Sequence, residues 1–263
     1  MKISIVMPAY NEESRIGRTL EEYSNYFDRL LREKKMEDYE ILVVINGTRD
    51  KTEEIVNACA KENKRIAYLN FKRGGKGFAV TEGFKNALKS KKAFDFIGFV
   101  DADMATSPEE YWKLVRNIGG YDGAIADRYM RGAKIIPAFS FRRIIVSRGF
   151  NMIVRSLFGL RYSDTQCGAK VFKRFAIAKI LNDLTITQWA FDIDMLYSCK
   201  KNELKIRAVP TIWKEVADSK LRIGRASIAM LFAVIQLRVL RSRYKGALRV
   251  VRPIIGIIYK AIK

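Results

Sequence analysis

Short apolar runs alternate with longer stretches in which apolar residues recur every three or four positions. Residues 3–8 (ISIVMP), 41–45 (ILVVI), 66–69 (IAYL) and 96–100 (FIGFV) are rich in β-branched and aromatic side chains, and unbroken apolarity of that kind predicts strands covered on both faces. Between them, residues 13–31 place Ile16, Leu20, Tyr23, Phe27 and Leu30 at helical spacing, and residues 52–63 and 77–89 repeat the pattern with polar outer faces. That alternation predicts an α/β fold, a mostly parallel, doubly wound sheet flanked by helices. Ligands of such sheets bind beyond the carboxyl ends of the strands. The segments 8–12, 46–50, 72–76 and 101–103 are therefore expected to converge on one crevice.

From 121 to 210 the pattern is less regular, with helices expected around 141–158 and 188–200 and a strand at 205–209. This half is expected to shape the acceptor side. Residues 226–235 (ASIAMLFAVI) are wholly apolar but bracketed by Arg225 and Arg238. At ~1.5 Å per residue the stretch reaches about 18 Å, short of a roughly 30 Å bilayer core. Residues 250–263 mix Ile254, Ile255, Ile257, Ile258 and Ile262 with Arg252, Lys260 and Lys263. Both stretches read as basic amphipathic helices that lie at a membrane interface, with packing of 226–263 against the core or a partner subunit as the plainer alternative. The expected organisation is a catalytic domain over 1–218 and a membrane-interface segment over 219–263.

Charge sharpens this division. The 263 residues carry 49 Lys and Arg against 28 Asp and Glu, a net charge of +21, which admits nucleic acid, an anionic membrane or an anionic substrate as partner. No acidic residue follows Asp218, while residues 219–263 hold 11 Lys and Arg, so the excess is concentrated in the tail. The tail carries only Phe232, Tyr244 and Tyr259 as aromatics for base stacking, and no nucleic acid is expected. Cys59, Cys167 and Cys199 are widely spaced, with no His to share a metal, and read as reduced thiols. The N-terminus runs straight into a strand pattern rather than a secretory signal. A site facing the cytoplasm, on a peripheral protein without a transmembrane helix, is expected.

The chemistry begins with Asp101-Ala102-Asp103, directly after FIGFV. Carboxylates at i and i+2 beyond a strand point the same way, and the pair calls for a counter-ion. A hard cation, Mg²⁺ or Mn²⁺, takes oxygen ligands and keeps positions open for phosphate oxygens. Ser107-Pro108-Glu109-Glu110 then caps a following helix, and a capped surface loop is the plainer reading of the same triplet. Lys72-Arg73-Gly74-Gly75-Lys76-Gly77 precedes another helix, where glycine turns, backbone N–H groups and Lys76 can receive an anion. The spacing is not that of a Walker loop, which disfavours a nucleoside triphosphatase.

VMPAYNEE (6–13), INGTRDKT (45–52), GGKG (74–77) and VDAD (100–103) resemble, in order and spacing, the family-2 inverting glycosyltransferases of GT-A (Rossmann-like) fold. ADRY (126–129), SDTQCGAKVF (163–172), WAFDID (189–194) and SKL (219–221) are similar to the dolichyl-phosphate glucosyltransferase and mannosyltransferase branch. The resemblance implies that Pro8, Ala9, Tyr10 and Glu12 hold the nucleoside, that Lys76 and Arg128 face phosphates, and that Asp101, Ala102 and Asp103 serve ribose and metal. Where the family has Asp-Asp-Gly-Ser this chain has Ile45-Asn46-Gly47-Thr48. The base-reading carboxylate is thus replaced by the Asn46 amide, which can still donate and accept.

The expected reaction transfers a hexose, glucose before mannose or GlcNAc, from a UDP- or GDP-sugar to a dolichyl or other polyprenyl phosphate. Negative charge grows on the leaving diphosphate, and Asp103 with its metal, Lys76 and Arg128 would stabilise it. A phosphomonoester acceptor, with a second pKa near ~6, needs no general base. It needs cations, and Arg128, Arg142, Arg143 and Lys170 are the candidates. A sugar-hydroxyl acceptor on a glycolipid or polysaccharide would instead need a base, and Asp192 is the choice. The third alternative is a non-catalytic basic lipid- or nucleic-acid-binding protein on the same fold.

Overall fold

The computed structural model describes residues 1–185, 190–215 and 223–242, with side chains in the last stretch from 229 onward. Strands β1 (Lys2–Ala9), β2 (Asp38–Asn46), β3 (Ile66–Phe71) and β4 (Phe96–Val100) alternate with helices α1 (Ile16–Arg32), α2 (Thr52–Glu62) and α3 (Lys76–Lys89). Then follow α4 (Pro108–Arg116), β5 (Gly123–Asp127), β6 (Lys134–Ile136), α5 (Phe141–Phe158), β7 (Ala169–Lys173), α6 (Arg174–Ile180), α7 (Phe191–Lys201), β8 (Ile206–Pro210), β9 (Ile212–Lys214) and α8 (Ile223–Leu240). The main sheet runs β3-β2-β1-β4-β7-β5-β8, and β6 pairs with β9 in a small second sheet. β7 alone runs antiparallel to its neighbours β4 and β5. The expected parallel α/β sheet is present, with one inserted antiparallel strand that the pattern did not announce.

Pleating sorts the core into two layers. Ile3, Ile5 and Met7 of β1 meet Leu20, Tyr23 and Phe27 of α1 and Tyr111 and Leu114 of α4. Val6 and Val44 face the other way, onto Val80 and Phe84 of α3 and the helices α5 to α8. α3 approaches closely because Gly83 has no side chain, a β-carbon there falling 2.4 Å from Val6 Cγ1. Ser107 caps α4 as expected, its side chain accepting from the Glu110 N–H, with Pro108 at the first helical position.

The apolar run at 226–235 lies in α8, and part of it packs on the core. Ala229, Ala233, Val234 and Leu237 are buried in the second core layer. Ile235 and Arg238 of the same helix are exposed, so α8 packs on the core through one side only. Arg241, one residue beyond α8, is fixed to Asp194 of α7 at 2.8 Å and 2.5 Å. Residues 250–263, and the SKL of 219–221, lie outside the described residues. Among the described residues no helix is long and apolar enough to cross a membrane.

Candidate active site

Asp101 and Asp103 stand where β4 ends. The Asp101 N–H donates to the Gly168 carbonyl at 3.0 Å, and a β-carbon on Gly168 would fall 1.8 Å from Asp101 Oδ2. The carboxylate occupies the space that glycine leaves. Ala102 turns inward and its carbonyl accepts the Thr19 hydroxyl at 2.8 Å. Met104, at φ +61°, lets the chain reverse so that Asp103 Oδ1 accepts the Ala105 N–H at 3.0 Å.

Lys76 opens α3, and Gly77 beside it lets the helix press on the Phe191 ring, which a β-carbon would meet at 2.6 Å. This contact brings two helix N-termini together. Lys76 Nζ lies 2.7 Å from Asp101 Oδ1 and 3.9 Å from Asp192 Oδ2. Asp192 sits in the first turn of α7, where the helix dipole favours a carboxylate. Its Oδ1 accepts from Lys170 Nζ at 2.5 Å. Burial raises the Asp101 carboxyl above its ordinary value, Lys76 opposes the shift and the nearby Asp103 charge adds to it. Burial disfavours the Lys76 ammonium, yet Asp101 and Asp192 together outweigh it and hold the group charged.

Asp101 and Asp103 offer oxygen donors only, close enough that the Asp103 charge acts on Asp101. That donor set fits a hard divalent cation whose remaining positions go to diphosphate and water.

On the donor side, Pro8 and Ala9 are buried at the end of β1, Tyr10 is exposed and Glu12 is half-buried. The Glu12 N–H donates to Thr52 Oγ1 at 2.8 Å, and its carboxylate pairs with Arg15. Pro8 and Ala9 can therefore meet a ligand only through backbone, whereas the Tyr10 ring is free to do so. Asn46, expected to read a base, is 3% exposed. Its Nδ2 donates to the Ala9 carbonyl at 2.8 Å and its Oδ1 accepts the Gly75 N–H at 2.9 Å. In this state the amide ties the glycine loop to the end of β1 rather than facing the crevice. Gly47, at φ +69°, completes the close packing of the two turns, since a β-carbon would lie 3.2 Å from Gly74.

Arg128 follows β5, and the fully buried Asp164 grips its guanidinium at 2.6 Å and 3.1 Å. Trp213 of β9 lies beneath Arg128 at 5.4 Å and stacks edge-on against Phe139 at 5.3 Å. Arg143 covers Phe139 at 3.8 Å and pairs with Glu215. Burial and the neighbouring Arg128 charge push the Arg143 pKa down, so two of the four expected acceptor cations share one locus. The other two do not join them. Lys170 is enclosed in β7, donating to the Cys167 carbonyl at 2.8 Å as well as to Asp192, and supports the site from below. Arg142 is exposed, and no ion pair or ring contact links it to this group among the described residues. Trp189 lies outside the described residues.

Sequence reasoning left several of these partners without roles. Asp164 and Gly168 lie inside the quoted SDTQCGAKVF motif, but their tasks depend on contacts with Arg128 and Asp101 from other strands. Phe139, Trp213 and Glu215 sit in or beside strands too short for periodicity to register.

A model of glycosyl transferase family 2 matches residues 4–181, and the chain belongs to that family. It is 32% identical over 244 residues to a dolichyl-phosphate beta-glucosyltransferase of Trichomonas vaginalis, covering 90% of this chain and 70% of that one. A dolichyl-phosphate beta-glucosyltransferase of Saccharomyces cerevisiae is 30% identical over 248 residues, covering 87% of this chain and 71% of its own. Among solved structures, glucosyl-3-phosphoglycerate synthase of Mycobacterium tuberculosis, in complex with Mn²⁺, UDP and glucosyl-3-phosphoglycerate, superposes with a TM-score of 0.64 at 19% identity. The superposition covers 90% of this chain and 79% of that one, and it establishes the shared GT-A fold.

Proposed function

We propose that this protein transfers glucose from a nucleotide sugar, UDP-glucose before a GDP-sugar, to dolichyl or another polyprenyl phosphate, inverting the anomeric centre, at the cytoplasmic face of a membrane. The observation that carries the reading is the pairing of two cationic loci, with the Cys167 thiol close enough to both to feel the charges of Arg128 and Asp101. Lys76 stands with Asp101 and Asp103 on one side, and Arg128 and Arg143 stand over Trp213 and Phe139 on the other. One locus suits the donor diphosphate and the other an acceptor phosphate. The names of the relatives agree with a dolichyl phosphate acceptor.

In this reading Asp101 and Asp103 hold Mg²⁺ or Mn²⁺, which supplies Lewis-acid neutralisation of the departing diphosphate. Lys76 exchanges its contact with Asp101 for a phosphate oxygen. Arg128, oriented by Asp164, and Arg143 align the acceptor phosphate, which is already a nucleophile near neutral pH. Asp192 keeps Lys76 in place, its second oxygen bound to Lys170. A sugar-hydroxyl acceptor would need Asp192 to take a proton on oxygens that already face two lysines, so the phosphate acceptor is favoured.

The test is incubation of the protein with Mn²⁺ or Mg²⁺, a polyprenyl phosphate and each of UDP-glucose, UDP-GlcNAc and GDP-mannose, with mass spectrometry of the lipid fraction. A hexosyl-phosphoryl-polyprenol from UDP-glucose is expected. Transfer to glycolipid hydroxyls with none to the phosphate, abolished in Asp192→Ala, would replace this reading with the hydroxyl acceptor.

A further inference from the structure

Between Asp127 and Asp164 the chain holds no acidic residue, and α5 runs through the middle of that stretch. The helix enters the core through Asn151, Val154 and Phe158. Its other side is left open: Phe141 is 76% and Met152 65% exposed, and Ile145, Val146 and Ile153 are exposed as well. Phe141, Ile145, Arg148, Met152 and Arg155 follow one another at three- and four-residue steps and so form one stripe. Arg142, Val146 and Ile153 form the strip beside it. α8 packs against α5 and adds the exposed Ile235 and Arg238.

A contiguous exposed apolar face marks a contact surface, and its charge selects the occupant. A second copy apposed through the same face would set arginine against arginine. The chain's own residues 243–263 are also without acids and are repelled likewise. We infer that the outer face of α5 docks on an anionic lipid surface, its apolar residues entering the headgroup boundary and its arginines meeting lipid phosphates. The face adjoins the site: Phe139, just before α5, stacks on Trp213, and Arg143 in the first turn of α5 lies over Phe139. Docking there holds Arg128 and Arg143 at headgroup depth, where a lipid phosphate resides. The purpose of the docking rests on the proposed acceptor; the docking itself does not.

Co-sedimentation of the full chain with vesicles of phosphatidylcholine alone, or mixed with phosphatidylserine, tests this. Binding to the mixed vesicles that weakens with added salt is expected. Ile145→Glu with Met152→Glu, and separately Arg148→Glu with Arg155→Glu, should each lower the affinity by ~10-fold or more, since each basic residue near an anionic leaflet is worth about 1 kcal/mol. With a short-chain, water-soluble polyprenyl phosphate the same variants should transfer at the wild-type rate, which shows an intact fold. Wild-type binding by both pairs would overturn the inference and leave the membrane contact to residues 219–263. So would equal binding to the two vesicle types, or a dimer in light scattering that the Ile145→Glu, Met152→Glu pair dissolves. If no donor gives product while the variants still lose the vesicles, the proposed reaction fails and the docking face stands.

Discussion

A β-carbon at Gly168 would lie 1.8 Å from Asp101 Oδ2, so Gly168→Ala must displace either the carboxylate or the turn that carries it. Since Asp101 is poised against Lys76 and Asp103, activity should fall much further than stability. A loss of roughly 100-fold in kcat/KM, as expected when a misplacement near 1 Å reaches the reacting groups, with a modest change in Tm, is the expected result. A variant as active as wild type would show that Asp101 is not held by this contact. Asn46 makes a second residue-level case. In Asn46→Asp the Gly75 N–H keeps an acceptor, but a carboxylate oxygen replaces the amide that donates to Ala9. A repelled, buried acceptor costs about 1–3 kcal/mol, and the loosened glycine loop should also weaken metal-dependent UDP binding in calorimetry. Unchanged affinity with lowered Tm would restrict Asn46 to a purely structural task. These two residues also mark what the sequence makes readable. Asp101, Asp103 and Lys76 are local signals, polar residues at the ends of apolar strands or at a helix start. The task of Gly168 and the actual posture of Asn46 depend on which loops the sheet order brings face to face.

At the scale of elements, α7 is gripped from two sides. Asp192 and Asp194 are two residues apart, about 200° around a helix, so one reaches Lys170 and Lys76 while the other reaches Arg241 beyond α8. Asp194 is fully buried, and besides Arg241 it accepts the Thr185 N–H at 2.7 Å. Arg241→Ala removes the guanidinium from that enclosed carboxylate, and breaking a buried pair costs about 3–5 kcal/mol. Urea unfolding should register it. Adding Asp194→Asn to Arg241→Leu removes both charges and keeps an acceptor for Thr185, and should recover most of the loss. If the double change were as unstable as Arg241→Ala, the ion pair would not be what fixes α8. This contact also sets which side of α8 faces inward. An apolar run of that length is compatible with a core helix or an interface helix, and periodicity alone cannot separate them. The deciding features, an Arg241 partner far away in sequence and an inward row of Ala229, Ala233 and Leu237, are tertiary. β7 escaped notice for a related reason. Its second residue is Lys170, a charge that reads as surface but is enclosed by Asp192 and the Cys167 carbonyl.

For the molecule as a whole, a net charge of +21 at pH 7 means that protonating carboxylates both adds to self-repulsion and removes the partners of buried cations. Asp164 is where the two effects can be separated. Burial alone would raise its pKa, but Arg128 and the backbone N–H groups of Arg128 and Gln166 outweigh that and depress it below the ordinary value. A depressed carboxylate stabilises the fold above its unfolded pKa, about 3.9, and that contribution is lost as pH falls through the lower, folded value. Asp164→Asn should therefore be well below wild type in urea midpoint at pH 7, with Arg128 left enclosed without a counter-charge. The gap should begin to narrow only below about pH 4, where the unfolded chain takes up its proton, and should close as the pH falls through the lower folded value of Asp164. Added salt screens the diffuse repulsion of the other charges far more than this buried pair. At acid pH salt should thus restore part of the wild-type stability, while at pH 7 it should leave the gap between wild type and Asp164→Asn nearly unchanged. A gap that closed with salt at pH 7 would mean that the Arg128 to Asp164 pair is solvent-screened, and with it the orientation of the acceptor-side cation.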